Sequence, residues 1–465
     1  MKKFAIVYGS CETELQKRAV EELTKILLDY TFEYPVCFAY DEAADLSAFK
    51  CIYIGTKASN PYIRNASKET LTRCEEYFLR VENSTVTIEG YDDAGVLYGV
   101  LDFYNKYIVE FEHANRTRYW VNFLVEDELP DYTYTSAPSV RERGVWTWGH
   151  VIYDYRGYFD NMMKLKMNSV VIWNDYAPMN ADEMVKYAHA RNIRVIWGFS
   201  WLWNNFGTID LSKLDGASEE IVAKYEREYA SVGGDGIYFQ TFTEFRGDNM
   251  GGVLIAEAAA NFVNKTAGML YEKHPNLEIQ FGIHSSAVKN HLQFIQTVDP
   301  RIRIVWENCG CFPFAHFPTN TQYFGETVEF LEKVAALRGE NEQFGVVTKG
   351  LVQLDWFNFE HLQGPQCYGV SSDYMKRNRV ENKRRVWKST QAGWLAYADV
   401  AYDLIKEMCR MKKGDFCALG LVEDGVFEET VMYPVALYAE MLWNCNSDAK
   451  TLIREVSLRD YVCFA

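Results

Sequence analysis

Beyond residue 140 the chain repeats one pattern. A short, nearly continuous apolar run is followed by a longer stretch whose apolar residues recur every three or four positions. The first kind of run predicts a strand buried on both faces, and the second predicts a helix lying over it. Strands are predicted at Val140–Gly149, Ser169–Tyr176, Ile193–Trp201, Gly236–Glu244, Leu277–Ser285, Ile302–Asn308, Gly350–Phe357 and Cys417–Asp424. Helices are predicted between them, among them Tyr158–Met167, Ala181–Asn192 and Val253–His274. Eight such units predict the α/β class and a (β/α)8 TIM barrel. The long charged stretch from Gln363 to Lys413 predicts an insertion in the seventh unit.

The first 130 residues read as a small α/β domain. Phe4–Gly9 and Cys51–Thr56 are apolar strands, Thr13–Asp29 has helical spacing, and Tyr77–Gly90 alternates like a hairpin. Gly90–Tyr107 predicts a helix whose small residues Ala94, Gly95 and Gly99 permit close packing, with Asp92 or Asp93 able to cap it. Asp127–Ser139 carries Pro and Ser without periodicity. Residues 131–139 are therefore read as a linker, and 140–465 as the barrel.

A barrel of this kind does its chemistry at the C-terminal ends of its strands. In chain order those ends offer Trp146, Trp148 and His150, with Arg143 further in; Trp173, Asn174, Asp175 and Tyr176; Trp201 and Trp203; Glu244, Arg246 and Asp248; His284; Trp306 and Glu307; Asp355 and Trp356; and Glu423 and Asp424. Aromatic rings beside carboxylates suit a sugar, whose C–H faces stack on the rings and whose hydroxyls donate to the carboxylates. Paired carboxyls are also what glycoside hydrolysis needs, one as acid and one as base or nucleophile. Glu244 is the expected general acid, partly desolvated beside Phe242 and Phe245, with Glu307 and Asp355 as the candidate second carboxyl. The expected sugar contacts are Arg143, Trp148, Asp175, Trp203, Arg246, His284, Trp306, Trp356 and Glu423. Arg143, Arg246 and Lys349 could also receive an acidic sugar.

Composition narrows the partners. The 465 residues carry a net charge of −16, which counts against nucleic acid or an anionic membrane. No apolar run approaches the length of a membrane span, and the start has no signal-sequence pattern, so a cytoplasmic location is expected. The 11 cysteines show no CxxC spacing and read as reduced thiols. His and carboxylate positions show no metal spacing, and no glycine-rich phosphate cradle appears, so no metal and no cofactor is expected. The expected partner is a carbohydrate; the oligomeric state is open, with a homodimer one option.

Several stretches resemble a known group. Lys164–Tyr176 resembles the second-strand signature of family 20 β-hexosaminidases, and Val140–Gly144 their first-strand Arg-Gly, where Arg143 matches a sugar-binding Arg. Glu183–Trp201 is similar to their next unit, and Tyr433–Trp443 to their closing helix. Gly90–Tyr104 resembles the last helix of a small domain that precedes the barrel in families 20, 67, 84 and 115, a group that includes α-glucuronidases. The resemblance implies an exo-acting glycoside hydrolase removing a terminal uronic acid or N-acetylhexosamine. The hexosaminidases end their fourth strand in Asp-Glu, the Asp orienting the substrate's acetamido nucleophile; here the pair is Thr243-Glu244. The acid is kept and the orienting carboxylate is absent. Two readings stand: a hydrolase with a different second group, or a non-catalytic carbohydrate-binding barrel.

Overall fold

A computed structural model describes residues 2–465 except 11, 43–44, 116–122, 149–151, 204–208, 310–323, 340–342, 352–364, 370–372 and 423–425. It divides into two compact units. Unit 1 takes in Met1–Pro138, His189–Asn192 and Arg454–Asp460.

Unit 1 is built on a six-stranded sheet. Its strands are β1 (Lys3–Tyr8), β2 (Val36–Ala39), β3 (Phe49–Gly55), β4 (Tyr77–Glu82), β5 (Thr85–Gly90) and β6 (Tyr132–Ser136), in the order β2-β1-β3-β5-β4-β6. The first four in that order run parallel, while β4 lies antiparallel between β5 and β6. Helix α1 (Glu14–Thr31) starts at Thr13, whose hydroxyl accepts from the Gln16 amide while the Gln16 side chain accepts from the Thr13 amide. Helix α2 (Asp93–Asp102) starts at Asp92, which accepts from Gly95 N, and runs on as a π-helical segment through Phe111. A Cβ at Gly95 would overlap the Glu76 carbonyl, so the small residue expected to allow close packing does so here. Half of the segment read as linker differs: Tyr132–Ser136 pairs with β4, its Tyr and Thr side chains alternating along an edge strand.

Unit 2 holds the barrel. Eight parallel strands close in chain order: β7 (Glu142–Trp148), β8 (Ser169–Trp173), β9 (Arg194–Ser200), β10 (Gly236–Gln240), β11 (Ile279–Ile283), β12 (Arg303–Cys309), β13 (Phe344–Thr348) and β14 (Cys417–Leu421). Leu421 registers with Trp146 to complete the ring. The chain is therefore a (β/α)8 TIM barrel preceded by a small α/β domain. The covering helices include α3 (Tyr155–Lys164), α4 (Ala181–His189), α5 (Leu214–Glu228), α6 (Ile255–Lys273), α7 (Phe324–Ala335), α8 (Asp373–Ala396), α9 (Ala398–Lys412) and α10 (Tyr433–Trp443).

Seven strands fall where the apolar runs predict them. The seventh in chain order does not. β13 is Phe344–Thr348, ahead of the predicted Gly350–Phe357. The sequence FGVVTKGLVQLDWF holds two apolar runs separated only by Lys349 and Gly350, and the first is the one that pairs with β12 and β14. The long charged stretch before Lys413 is mostly two helices, α8 and α9.

Side chains alternate between barrel interior and helix layer. Trp146, Val171, Trp173, Ile196, Tyr238, Val305, Val347, Leu419 and Leu421 fill the interior as one cluster. Below them Glu142 and Glu278 pair with Arg194 and Arg303. No helix among the described residues is long and apolar enough to cross a membrane.

Candidate active site

β10 ends at Gln240, and the chain turns through a short 3-10 segment, Phe242–Glu244, that lifts Glu244 to the C-terminal rim. Phe242 anchors this turn, fully buried against Phe262 of α6. The Glu244 carboxylate accepts the indole N–H of Trp203 at 2.6 Å. Trp203 is itself set edge-on to Trp173, with ring centroids 5.8 Å apart.

His284 follows β11 and stands between two carboxylates. Its Nε2 lies 3.2 Å from Glu307 Oε2 and 3.8 Å from Glu244 Oε2. The two carboxylate oxygens thus lie no further apart than the sum of those distances, about 7 Å. Their surroundings differ sharply. The Glu307 side chain is 1% exposed and that of Glu244 is 41% exposed. The buried carboxylate of the pair is the one from the sixth strand, whereas the sequence reading placed desolvation at Glu244.

Glu307 is enclosed by donors. Its Oε1 accepts from the Tyr238 hydroxyl at 2.5 Å and from the Gln240 amide, and its Oε2 faces His284. Burial alone would push this carboxyl up. The charges of His284 and Lys349 and the hydrogen bonds from His284 and Tyr238 outweigh it and hold the group down at about 2. His284 is affected in the opposite sense. Burial would lower it, but Glu307, with a smaller contribution from Glu244, raises it above 6.5 despite the opposing charge of Lys349. Gly282 makes room for the arrangement, since a Cβ there would overlap both the Tyr238 hydroxyl and the Glu307 carboxylate.

Thr243 precedes Glu244 at the end of the turn. It is fully buried, and its Oγ1 accepts from the His284 amide at 3.4 Å. The hydroxyl joins the end of β11 to the β10 turn and so helps to set His284.

Of the other predicted residues, Asp175 lies at the rim after β8, where it accepts from Lys224 Nζ at 2.6 Å and from the Ser200 amide. Arg246 is exposed on the loop beyond Glu244. Arg143 and Trp306 are not at the mouth. Strand parity explains both: Glu142 and Trp146 point inward on β7, so Arg143 points out, and Glu307 points inward on β12, so Trp306 points out. Arg143 donates to the carbonyls of Val140, Arg141 and Lys166 beneath the barrel, with its guanidinium 5.0 Å from the Trp443 ring centroid. Trp306 packs edge-on against Phe330 of α7. Neither is placed to meet a sugar. Asp355, Trp356 and Glu423 lie outside the described residues, as does the side chain of Trp148.

Sequence reasoning did not single out Tyr238 and Gln240. They precede Phe242 by four and two residues on the inward parity of β10, so counting back along that strand would have found them. Lys349, named only as a possible acceptor of an acidic sugar, leaves β13 with its Nζ 5.8 Å from the Trp146 ring centroid. Among the described residues no group of three His, Cys, Asp or Glu is arranged to hold a metal ion.

No protein-family model and no curated protein matches the sequence. Solved structures do match the fold. The chain aligns over 97% of its length with a GH138 enzyme targeting pectin rhamnogalacturonan II, at 12% identity and a TM-score of 0.53, covering 52% of that protein. It aligns over 96% of its length with a GH115 4-O-methyl-α-glucuronidase with specificity for decorated arabinogalactans, at 13% identity and a TM-score of 0.53, covering 57% of it. A GH20 β-N-acetylhexosaminidase from Streptomyces coelicolor A3(2) aligns over 98% of the chain at 11% identity and a TM-score of 0.53, with 90% of that enzyme covered. The fold is one that these glycoside hydrolases share. The chain spans little more than half the length of the first two proteins, and at these identities the likeness concerns the fold alone. Families 20 and 115 are two of those that the sequence motifs resemble.

Proposed function

We propose that this protein is a glycoside hydrolase that removes a terminal sugar, with Glu244 as the general acid. The observation that carries this reading is the array Glu244–His284–Glu307 at the C-terminal rim: one carboxylate open to solvent, one buried, and an imidazole between them. In the reaction the Glu244 proton passes to the glycosidic oxygen as the C1–O bond breaks, and water adds at C1 with loss of its proton to a base. The Trp203 indole fixes the Glu244 oxygen that stays behind. Glu307 is a positioning residue here. Its oxygens already take three donors and it is shut off from solvent, so it holds and charges His284 rather than meeting the sugar. We assign the base role to Asp355, the other candidate carboxyl of the sequence. The mouth has a packed floor of Trp146, Trp173 and Tyr238, which suits a chain end better than a strand threading through.

The substrate class this reading favours is a uronic acid. Lys349 brings a cation to the inner face of the mouth, and substrate-assisted cleavage of an N-acetylhexosamine would need the carboxylate that Thr243 replaces. The test is turnover of aryl α-glucuronide and aryl β-N-acetylglucosaminide by wild type, Glu244→Gln and Lys349→Met. Release from the uronide, lost in Glu244→Gln and reduced chiefly through KM in Lys349→Met, is the expected outcome. Release from the N-acetylglucosaminide alone would overturn the substrate class and keep the acid.

One observation favours a second reading, a carbohydrate-binding barrel without turnover. Because Glu307 is fully engaged, Glu244 is the single carboxylate of the array that solvent reaches. Under that reading no aryl glycoside is cleaved, yet the matching sugar still raises the melting temperature.

A further inference from the structure

Helix α9 and the turn that leaves α10 bring two thiols together. Cys409 Sγ and Cys445 Sγ lie 2.7 Å apart. A disulfide bond is about 2.05 Å long, so less than an ångström separates this pair from one. Both cysteines are partly exposed. The approach is built into the fold. Tyr402, seven residues before Cys409 and on the same face of α9, donates its hydroxyl to the Asn444 carbonyl and accepts from the Ser447 amide at 3.0 Å. The Cys445 amide donates to Ser139 Oγ at 2.9 Å. The turn that carries Cys445 is thus fixed on both sides of the sulfur.

We propose that Cys409 and Cys445 form a redox site that closes to a disulfide when the protein meets a hydroperoxide and reopens with a dithiol reductant. The two sulfurs are not equivalent. Either sulfur can donate in the hydrogen bond between them; with Cys409 as donor, that bond, joined by Ser139 and the charge of Lys406 and opposed by burial, holds the Cys445 thiol down. The same hydrogen bond, together with burial, pushes Cys409 up. Cys445 is therefore the attacking thiolate. It attacks one oxygen of hydrogen peroxide, the O–O bond breaks as the S–O bond of a sulfenic acid forms, and the departing hydroxide takes up the proton that the thiol released and leaves as water. Cys409 then attacks the sulfenyl sulfur, the S–S bond forms, and hydroxide takes up the thiol proton and leaves as a second water. Two thiols lose two electrons in all, and the peroxide gains them.

The link joins α9, which leads into the last strand β14, to the end of α10. The carbonyls of Leu442 and Trp443 there accept from the Val140 and Ser139 amides at the entrance to the first strand β7. The bond would fasten the segments where the ring closes.

The test uses the full chain, reduced and then treated with stoichiometric hydrogen peroxide. Free thiols are blocked by alkylation before non-reducing peptide mapping. We expect one cross-linked peptide pair containing residues 409 and 445, and a melting temperature higher by about 4–8 °C that dithiothreitol reverses. Cys409→Ser should lose the shift and leave a sulfenic acid on Cys445 that dimedone traps; Cys445→Ser should lose the shift and leave no such adduct on Cys409. Full alkylation of both thiols after peroxide, or their conversion to sulfinic acids without a link, would overturn the proposal. The exposed cysteines among the described residues, Cys37, Cys74, Cys367 and Cys463, are read separately in the same map.

Discussion

The imidazole of His284 concentrates the physics of the site, because its environment lowers it and its neighbours raise it. Burial favours the neutral ring, and Glu307 overrides that preference. Replacing Glu307 by Gln removes the chief raising influence and keeps the burial. The NMR titration midpoint of His284 should then fall from above 6.5 to below it, and a midpoint that stays above 6.5 would show that Glu244 alone suffices. The pair also ties stability to pH. Glu307 sits near 2 in the folded chain against an ordinary 4.5, so its contribution is present above about 4.5 and is lost as pH falls toward 2. His284 is raised, so its contribution is present below about 6.5 and is lost as pH rises through the folded value. Both act together between about pH 4.5 and 6.5. The stability difference between wild type and His284→Gln, followed by urea unfolding across roughly pH 3–9, should be greatest in that window. A difference that is flat with pH would mean that the ring is uncharged in the folded chain.

At the level of elements, strand parity decides which side chains reach the site, and one glycine makes the parity usable. Gly282 on β11 faces Tyr238 on β10 and Glu307 on β12 across the barrel wall. Gly282→Ala should cost about 1–3 kcal/mol, as overpacking of a filled interior does, and should disturb the Tyr238–Glu307 hydrogen bond. Denaturant unfolding measures the first and the His284 titration the second. This level is also where the sequence was readable and where it was not. Apolar runs between polar breaks located seven strands, because each is buried on both faces and bounded by turns. The remaining strand, β13, was misread because FGVVT and LVQLDWF are equally apolar and only pairing with β12 and β14 separates them. Glu244, His284 and Trp203 lie just beyond strand ends and Glu307 near the end of β12, which is where the sequence was read. Arg143 and Trp306 were misassigned because strand ends were read without asking which face each residue takes. Tyr238, Gln240 and Gly282 were missed because they fall within the predicted apolar runs, where an inward residue looks like any other strand residue.

Across unit 2 the barrel divides its work along its axis. The C-terminal rim carries Glu244, His284 and the rings. The opposite end is held by Glu142, Glu278, Arg194 and Arg303, with Arg303 Nη1 2.8 Å from a Glu142 oxygen and Arg194 Nη1 3.3 Å from the same atom. Buried charge of this kind stabilises only as a complete set, since removing one partner strands another in a dry interior. Arg303→Met deletes a cation that serves both glutamates and leaves Arg194 to serve them alone. The expected loss is about 3 kcal/mol, toward the lower end of what a broken buried pair costs, because Arg194 remains. The loss should leave the mouth intact: the His284 titration midpoint and the affinity for the matching sugar should stay at their wild-type values. Glu307→Gln should do the reverse, changing the titration and the sugar affinity together. If Arg303→Met moved the His284 midpoint as well, the two ends would be coupled through the packed rings between them, and the division of labour along the axis would fail.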